Sequence, residues 1–341
     1  MSATARAPRR PDLVCPAGSL PALKAAVDAG ADCVYVGLKN ETNARNFAGL
    51  NFDRKALDAG IDYAQARGRR VLLALNTYAQ PGRGHLWTDA IDAAAGAGVD
   101  ALILADAGLM AYASSRHPSL ALHLSVQGSS TTYEAINFHV ERFGVRRAVL
   151  PRVLSVAQVA GVIERALCEI EVFGFGSLCV MVEGRCALSS YTTGEGPNLC
   201  GVCSPARAVR WDTTPAGLEA RLAGVLIDRY ADGEPAGYPT ICKGRYDVDG
   251  DTGYAIEEPT SLNTLPILRE LVDVGVAAIK IEGRQRGPAY VATVTRVWRE
   301  AIDECLRDPA RFVPRASWLE QLGALAEGRQ TTLGALDRAW R

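Results

Sequence analysis

The apolar positions of this chain fall in short unbroken runs rather than in alternating patterns. Residues 13–17, 33–38, 71–76, 101–106, 120–125, 147–151 and 169–175 each read as a strand of this kind. Such runs suit a parallel sheet covered on both faces, where no position has to alternate toward water. Between them, apolar residues recur at helical spacing over 20–29, 53–67, 86–97, 131–143 and 156–167. Ser19 stands where it can cap the first of these helices, Pro21 is tolerated in its first turn, and Gly30 ends it. One phrase, a helix end followed by a glycine turn and an apolar strand, recurs over 26–37, 95–104 and 271–282. It is the repetition of a structural unit, too loose to be a sequence repeat.

The pattern stops after residue 175. Over 176–260 there is little periodicity: hairpin-like pieces at 206–211 and 238–246, a turn at 248–251, and a helix near 218–228. A helix capped by Ser261 and running to about 274 then leads to an eighth strand at 277–282 and a long helix over 288–307. Eight strand–helix units predict an α/β fold, a (β/α)8 TIM-like barrel of about 250 residues with an insertion after strand seven. The expected divisions are a disordered N-terminal tail over 1–12, a barrel over 13–308 carrying the insertion 176–260, and a C-terminal extension over 309–341. An open doubly wound sheet is the alternative, but no Gly-x-Gly-x-x-Gly follows the first strand, which weakens a dinucleotide-binding reading. In a barrel the functional face lies at the C-terminal ends of the strands. The insertion therefore emerges over the mouth. The polar residues at strand ends, Asn76, Asp106, Ser125, Gln127, Arg152, Glu282 and Arg284, would ring it, joined by Arg45 from the loop after strand two.

Composition narrows the chemistry. A net charge of −1 over 341 residues argues against a dedicated nucleic-acid binder. No apolar run approaches the roughly 20 residues that span a bilayer, and the first residues lack the apolar core of a secretory signal. A cytoplasmic protein with reduced cysteines is expected, and clustered cysteines there point to metal or catalysis rather than disulfides. Five of the nine cysteines, Cys179, Cys186, Cys200, Cys203 and Cys242, fall in the insertion, and Cys200 and Cys203 alone have the close spacing of a zinc half-site. Spacing leaves an iron–sulfur cluster, a zinc ion and inert buried thiols all open. Cys15, Cys33, Cys168 and Cys305 sit in apolar contexts and read as core. His85, His117, His123 and His139 are scattered, and neither a Gly-x-Ser-x-Gly elbow nor a His-Glu-x-x-His pair occurs.

Longer motifs carry a family resemblance. Glu171-x-Phe-x-x-Gly-Ser-Leu-Cys179 with Gly184-x-Cys186-x-Leu-Ser189 resembles the signature of the collagenase-like U-type peptidases. The likeness extends through Leu13-Val-Cys-Pro-Ala-Gly, Asn43-Ala-Arg45-Asn-Phe-Ala, Cys203-Ser-Pro-Ala-Arg207, Tyr238-Pro-Thr-Ile-Cys-Lys-Gly244 and Lys280-Ile-Glu-Gly-Arg284, so it covers nearly the whole chain. Its strongest form is with members acting in oxygen-independent ubiquinone biosynthesis. That resemblance implies a [4Fe-4S] cluster on Cys179, Cys186, Cys203 and Cys242, with Cys200 left out. It further implies a homologous UbiV-like subunit in a heterodimer, hydroxylation of the aromatic ring of a ubiquinone precursor, and prephenate as oxygen donor. A lipid-carrier accessory protein is a further candidate partner; nucleic acid is not expected. Because prephenate is a dicarboxylate and arginine grips carboxylates with a forked donor set, Arg45, Arg152 and Arg284 are the candidate substrate-binding residues, against the alternative of intramolecular salt bridges. No catalytic residue is assigned. An RNA base hydroxylase and a peptidase are the rival functions, and a structural or electron-passing cluster is a further possibility.

Overall fold

The computed structural model describes residues 10–200 and 202–337, and at Cys200 the backbone only. Eight parallel strands form the barrel: β1 (Asp12–Pro16), β2 (Cys33–Gly37), β3 (Arg70–Leu75), β4 (Ala101–Leu104), β5 (Ala121–Leu124), β6 (Val145–Val149), β7 (Glu169–Ser177) and, late in the chain, Ala278–Ile281. The last of these pairs in parallel with both β7 and β1, which closes the ring. The intervening helices are α1 (Leu20–Asp28), α2 (Arg54–Gln65), α3 (His85–Ala97), α4 (Ala107–Arg116), α5 (Tyr133–Phe143) and α6 (Val156–Arg165). Polar side chains at the expected positions start them. Ser19, Asp53 and Thr132 each accept a first-turn amide, and Ser155 forms a reciprocal capping box with Gln158. The α4 helix has no counterpart in the sequence reading; it starts where Asp106 accepts the amides of Gly108 and Leu109.

Strand residues divide between two cores. Outward-facing Leu13, Val34, Val36, Leu73, Leu102 and Leu124 pack on the helices together with the buried Trp87 and Trp298. Inward-facing Val14, Cys33, Tyr35, Leu72, Ala74, Ile103 and Ala278 fill part of the interior. Val149 and Phe173 add a second apolar patch, and between them lies a charged cluster. Arg147 on β6 pairs with Asp12 at 2.5 Å and Glu169 at 2.6 Å, and lies 3.5 Å from Glu171 on β7. Glu171 in turn holds Lys280 at 2.6 Å. His123 on β5 lies among them; burial first, and the Arg147 charge next, push it down to about 4, so it is neutral near pH 7.

The insertion is more ordered than its sequence suggests. It contains α7 (Ala187–Thr193), α8 (Pro197–Cys200), a three-stranded antiparallel sheet β8 (Val209–Thr214), β9 (Gly217–Leu222) and β10 (Val225–Tyr230), and the hairpin β11 (Arg245–Val248) with β12 (Asp251–Tyr254). The helix expected near 218–228 is thus a β-hairpin. Its Leu, Glu, Ala and Arg residues favour helix by propensity, but Ala223 and Gly224 both take positive φ and turn the chain back on itself. The helix expected from Ser261 is likewise corrected. Ser261 lies in β13 (Ser261–Asn263), antiparallel to the overhanging end of β7, and α9 (Leu268–Asp273) begins only after a short 3-10 turn containing Pro266. The eighth barrel strand, β14, is Ala278–Ile281, and α10 (Pro288–Arg307) packs on α1. Residues 309–337 hold α11 (Ala316–Leu325), which lies against α10, and β15 (Thr331–Thr332), which pairs with β13. The first nine residues of the expected tail lie outside the described residues; Asp12, its last, opens β1. Among the described residues no helix is long and apolar enough to cross a membrane.

Two outcomes follow from this packing. A Cβ on Gly18 would fall on the Arg284 carbonyl oxygen, so Gly18→Ala should cost about 1–3 kcal/mol, measured by denaturant unfolding. Burial alone would raise the Glu171 carboxyl, but Lys280 and Arg147 outweigh it and hold the folded value below the ordinary 4.5. Its stabilisation is therefore complete above that pH and is lost as pH falls through the folded value. Glu171→Gln, which leaves Lys280 without its counter-charge, should destabilise the chain by about 3–5 kcal/mol near pH 7, with a smaller loss at low pH.

Candidate functional site at the barrel mouth

A cavity of about 60 Å³ opens at the C-terminal ends of the strands. Of the residues anticipated there, Arg45, Asn76, Ser125, Gln127, Arg152, Glu282 and Arg284 line it. Asp106 does not: one carboxylate oxygen caps α4 and the other accepts the Ala79 amide. Tyr35, Phe173, Glu183 and Lys280 also line it and were not anticipated, and Ala74, Ile103, Val126 and Val149 supply the rest of the wall. Lys280 and Glu171 did carry a signal, as charges inside otherwise apolar strand runs. Glu183, between two cysteines of the insertion, carried none.

The three arginines are held differently. Arg284 is buried, and its Nη1 donates to Asn43 Oδ1 at 2.7 Å. Asn43 is fixed in turn: it donates to the Leu38 carbonyl and accepts the Arg45 amide at 3.0 Å. No carboxylate lies within ion-pair distance of Arg284 among the described residues. Burial, with the Arg45 charge acting in the same direction, pulls the Arg284 guanidinium down to about 10. Arg45 follows Ala44, whose amide donates to Asn76 Oδ1, and this places the Arg45 loop over β3. Arg152 stacks 3.6 Å from the Phe173 ring centroid and pairs with Glu183 at 2.6 Å, while its Nε has no hydrogen-bond partner. Its backbone amide also donates to Glu183. Burial raises the Glu183 carboxyl above the usual range despite the facing guanidinium.

Glu183 fastens the cysteine segment to this mouth. It lies between Cys179 and Cys186, and its carbonyl accepts from Ser129 Oγ at 2.7 Å. The next residue, Gly184, has φ +91°, presses against the Gln127 carbonyl, and is held by Asn198 Nδ2 at 2.7 Å. Only glycine fits there without strain. Further ties draw the cysteines together. Ser189 Oγ donates to the Cys203 carbonyl at 2.5 Å, Ser190 Oγ to the Cys186 carbonyl at 2.9 Å, and Tyr238 OH to the Ser204 carbonyl at 3.0 Å. Burial raises the Cys242 thiol, with Cys203 and Cys186 acting in the same direction. Burial pushes the Cys179 thiol up to about 12. Three of the four are part-buried and Cys203 is exposed. Among the described residues no three His, Cys, Asp or Glu side chains stand ready to hold a metal ion as they are. The donor set itself, thiols without histidine, suits a soft metal or an iron–sulfur cluster. The Cys200 side chain lies outside the described residues. Cys15, Cys33 and Cys305 are fully buried in the core, Cys168 is half-buried, and His117 forms a surface pair with Asp92.

Residues 18–335 match Peptidase family U32. The chain is 31% identical to "tRNA hydroxylation protein P1" of Bacillus subtilis over 93% of this chain and 69% of that protein. It is 35% identical to "Uncharacterized protease MJ0090" of Methanocaldococcus jannaschii over 86% of this chain and 66% of that protein. With "tRNA hydroxylation protein P" of Escherichia coli it shares 30% identity over 96% and 75% respectively. It thus spans about two thirds to three quarters of the length of these relatives. With a match over nearly its whole length, the chain belongs to peptidase family U32.

Proposed function

We propose that this chain is a subunit of an oxygen-independent hydroxylase whose arginine-lined mouth binds a small anionic co-substrate beside an iron–sulfur cluster. The carrying observation is donor capacity left unspent in a buried place. Arg284 faces the cavity with a neutral amide as its hydrogen-bond partner, and Arg152 keeps an unpartnered Nε. Glu282, on the same cavity, lends Arg284 a negative field without pairing with it, so a carboxylate entering the cavity would supply the ion pair that this buried cation lacks. Arg152 is also the alternative case, a guanidinium engaged by an internal acid, so a ligand would share it with Glu183 or displace that carboxylate. The names of the Bacillus and Escherichia relatives support hydroxylation as the reaction class.

Cys179, Cys186, Cys203 and Cys242 would hold a [4Fe-4S] cluster. When bound, such a cluster supplies one-electron chemistry. The chain's own residues then have definable tasks: Arg284 and Arg152 bind and orient the anion, and the Glu183–Arg152 pair keeps the cysteine segment against the mouth. The motif likeness is strongest to UbiU. It supports the ring of a ubiquinone precursor as the group hydroxylated, prephenate as the oxygen donor, and a UbiV-like homologue as the second subunit. A peptidase reading finds little support at the mouth, where Ser125 Oγ contacts Asn76 and Gln127 and no described histidine makes a hydrogen bond to it.

A second reading, hydroxylation of a tRNA base, is favoured by the relatives' names. Against it, three arginines of the insertion are already paired: Arg221 and Arg229 with Glu219, and Arg245 with Asp228 and Glu234, which leaves Arg185 and Arg210 as cations outside these pairs. Phosphate contacts need unspent cations. A deletion strain separates the readings: accumulation of an under-hydroxylated quinone precursor supports the first, and loss of a hydroxylated tRNA nucleoside supports the second.

Anaerobically purified protein should be coloured and contain iron and sulfide. Alanine at any of the four cysteines should remove most of the iron, whereas Cys200→Ala should retain it; a colourless or zinc-loaded wild type overturns the cluster. Arg284→Met and Arg152→Met should each raise KM for the anionic co-substrate about 10- to 100-fold, the cost of a lost charged hydrogen bond. Arg45→Met should act in the same direction. Unchanged kinetics in all three variants would remove the anion site.

A further inference from the structure

We propose that Lys280 is an imine-forming lysine, and that the anion bound at the mouth is a 2-oxo acid whose carbonyl carbon it takes. This rests on the reading of the cavity as an anion site and adds the chemistry at its floor. Lys280 projects from β14 into the cavity lining, beside Arg284 and Arg152, with its Nζ 4.1 Å from the Tyr35 ring centroid. Its one hydrogen bond goes to Glu171 Oε1 at 2.6 Å. The other two ammonium protons meet no acceptor among the described residues. A carboxylate gripped by Arg284 would enter the same cavity as this buried amine.

The residue type is itself informative. Lys24, Lys39, Lys55, Lys243 and Lys280 are the five lysines among 37 basic residues, so arginine is this chain's default cation. Arginine would make the ion pair with Glu171 as well or better, since its fork suits a carboxylate. What lysine offers instead is a nitrogen that can lose a proton and attack carbon. Burial lowers the Lys280 ammonium below its ordinary value, and the nearby Arg284 and Arg147 charges act in the same direction, against the pull of Glu171. Glu171 is the group placed to take the proton: it is fully buried and its Oε1 already accepts from the Lys280 ammonium at 2.6 Å, while Oε2 lies 3.5 Å from Arg147 Nη1.

The step balances without an oxidant or reductant. Glu171 accepts one ammonium proton, and the freed amine adds to the carbonyl carbon, forming a C–N bond and a carbinolamine. The carbinolamine hydroxyl leaves as water, taking the proton back from Glu171. The resulting iminium keeps the positive charge, so the pairing with Glu171 survives the reaction. Phe173, Val149 and Ile103 give that part of the cavity an apolar wall.

Borohydride trapping tests this. Anaerobically prepared full-length protein is incubated with pyruvate or 2-oxoglutarate and sodium cyanoborohydride, then analysed by intact mass and peptide mapping. The expected result is one reduced adduct, on the peptide containing Lys280. Lys280→Arg should abolish the adduct while still binding malonate, a carboxylate without a ketone, as wild type does. Arg284→Met should lower adduct yield at limiting pyruvate at least tenfold. Malonate binding without any adduct would overturn the imine and leave the anion site standing; absence of both would overturn the two together. An adduct on another lysine, or an undiminished adduct in Lys280→Arg, would also overturn the proposal. Mapping of the wild-type adduct decides the matter even where a variant fails to fold.

Discussion

The charged column inside the barrel is the constraint on which the mouth depends. A barrel interior is ordinarily filled by branched aliphatic side chains in layers. Here Arg147, Glu171 and Lys280 occupy the axis instead, and each needs the next. Glu171 is fully buried and tolerable only because two cations flank it. Arg147 is tolerable because Asp12, Glu169 and Glu171 surround it. Such pairs are weak as a source of stability, because desolvation consumes much of the Coulombic gain, yet removal of one member strands the others. Retaining this arrangement where Leu or Val would pack makes sense if its upper end is needed at the cavity floor.

Above the column, the mouth is assembled from separate loops by hydrogen bonds that converge on few residues. Asn43 joins the β2 loop to Arg284, Asn76 joins β3 to the Arg45 loop, and Glu183 joins the insertion to the end of β6. Each link places an arginine or fixes a segment carrying one. Glu183 is the most consequential, because one carboxylate both neutralises Arg152 and fastens the chain between Cys179 and Cys186. One ion pair thereby ties the placement of the cysteine segment to that of Arg152 at the mouth.

The sequence by itself favoured the barrel over an open doubly wound sheet. Unbroken apolar runs demand burial on both faces, and eight of them, most separated by helical periods, suit a closed parallel ring, although the period of α4 between the fourth and fifth strands was not legible. It also determined that the cysteines and the strand-end arginines lie on the same face, since both follow from where strands end. The tertiary structure alone decided the rest. The segment 218–228 carries helix-forming residues yet becomes a hairpin, because pairing with β8 and a positive-φ turn outweigh propensity. Asp106 looked like a lining residue and is a helix cap, a role set by the direction in which the chain leaves β4. Glu183 had no local signal, because its importance comes from Arg152, thirty-one residues away. Lys280 and Glu171 were visible as charges in apolar strands, but their partnership spans 109 residues and exists only because the eighth strand closes against the seventh. Local periodicity fixes which face of an element is buried; which charges meet inside depends on ring closure, and no local pattern encodes that.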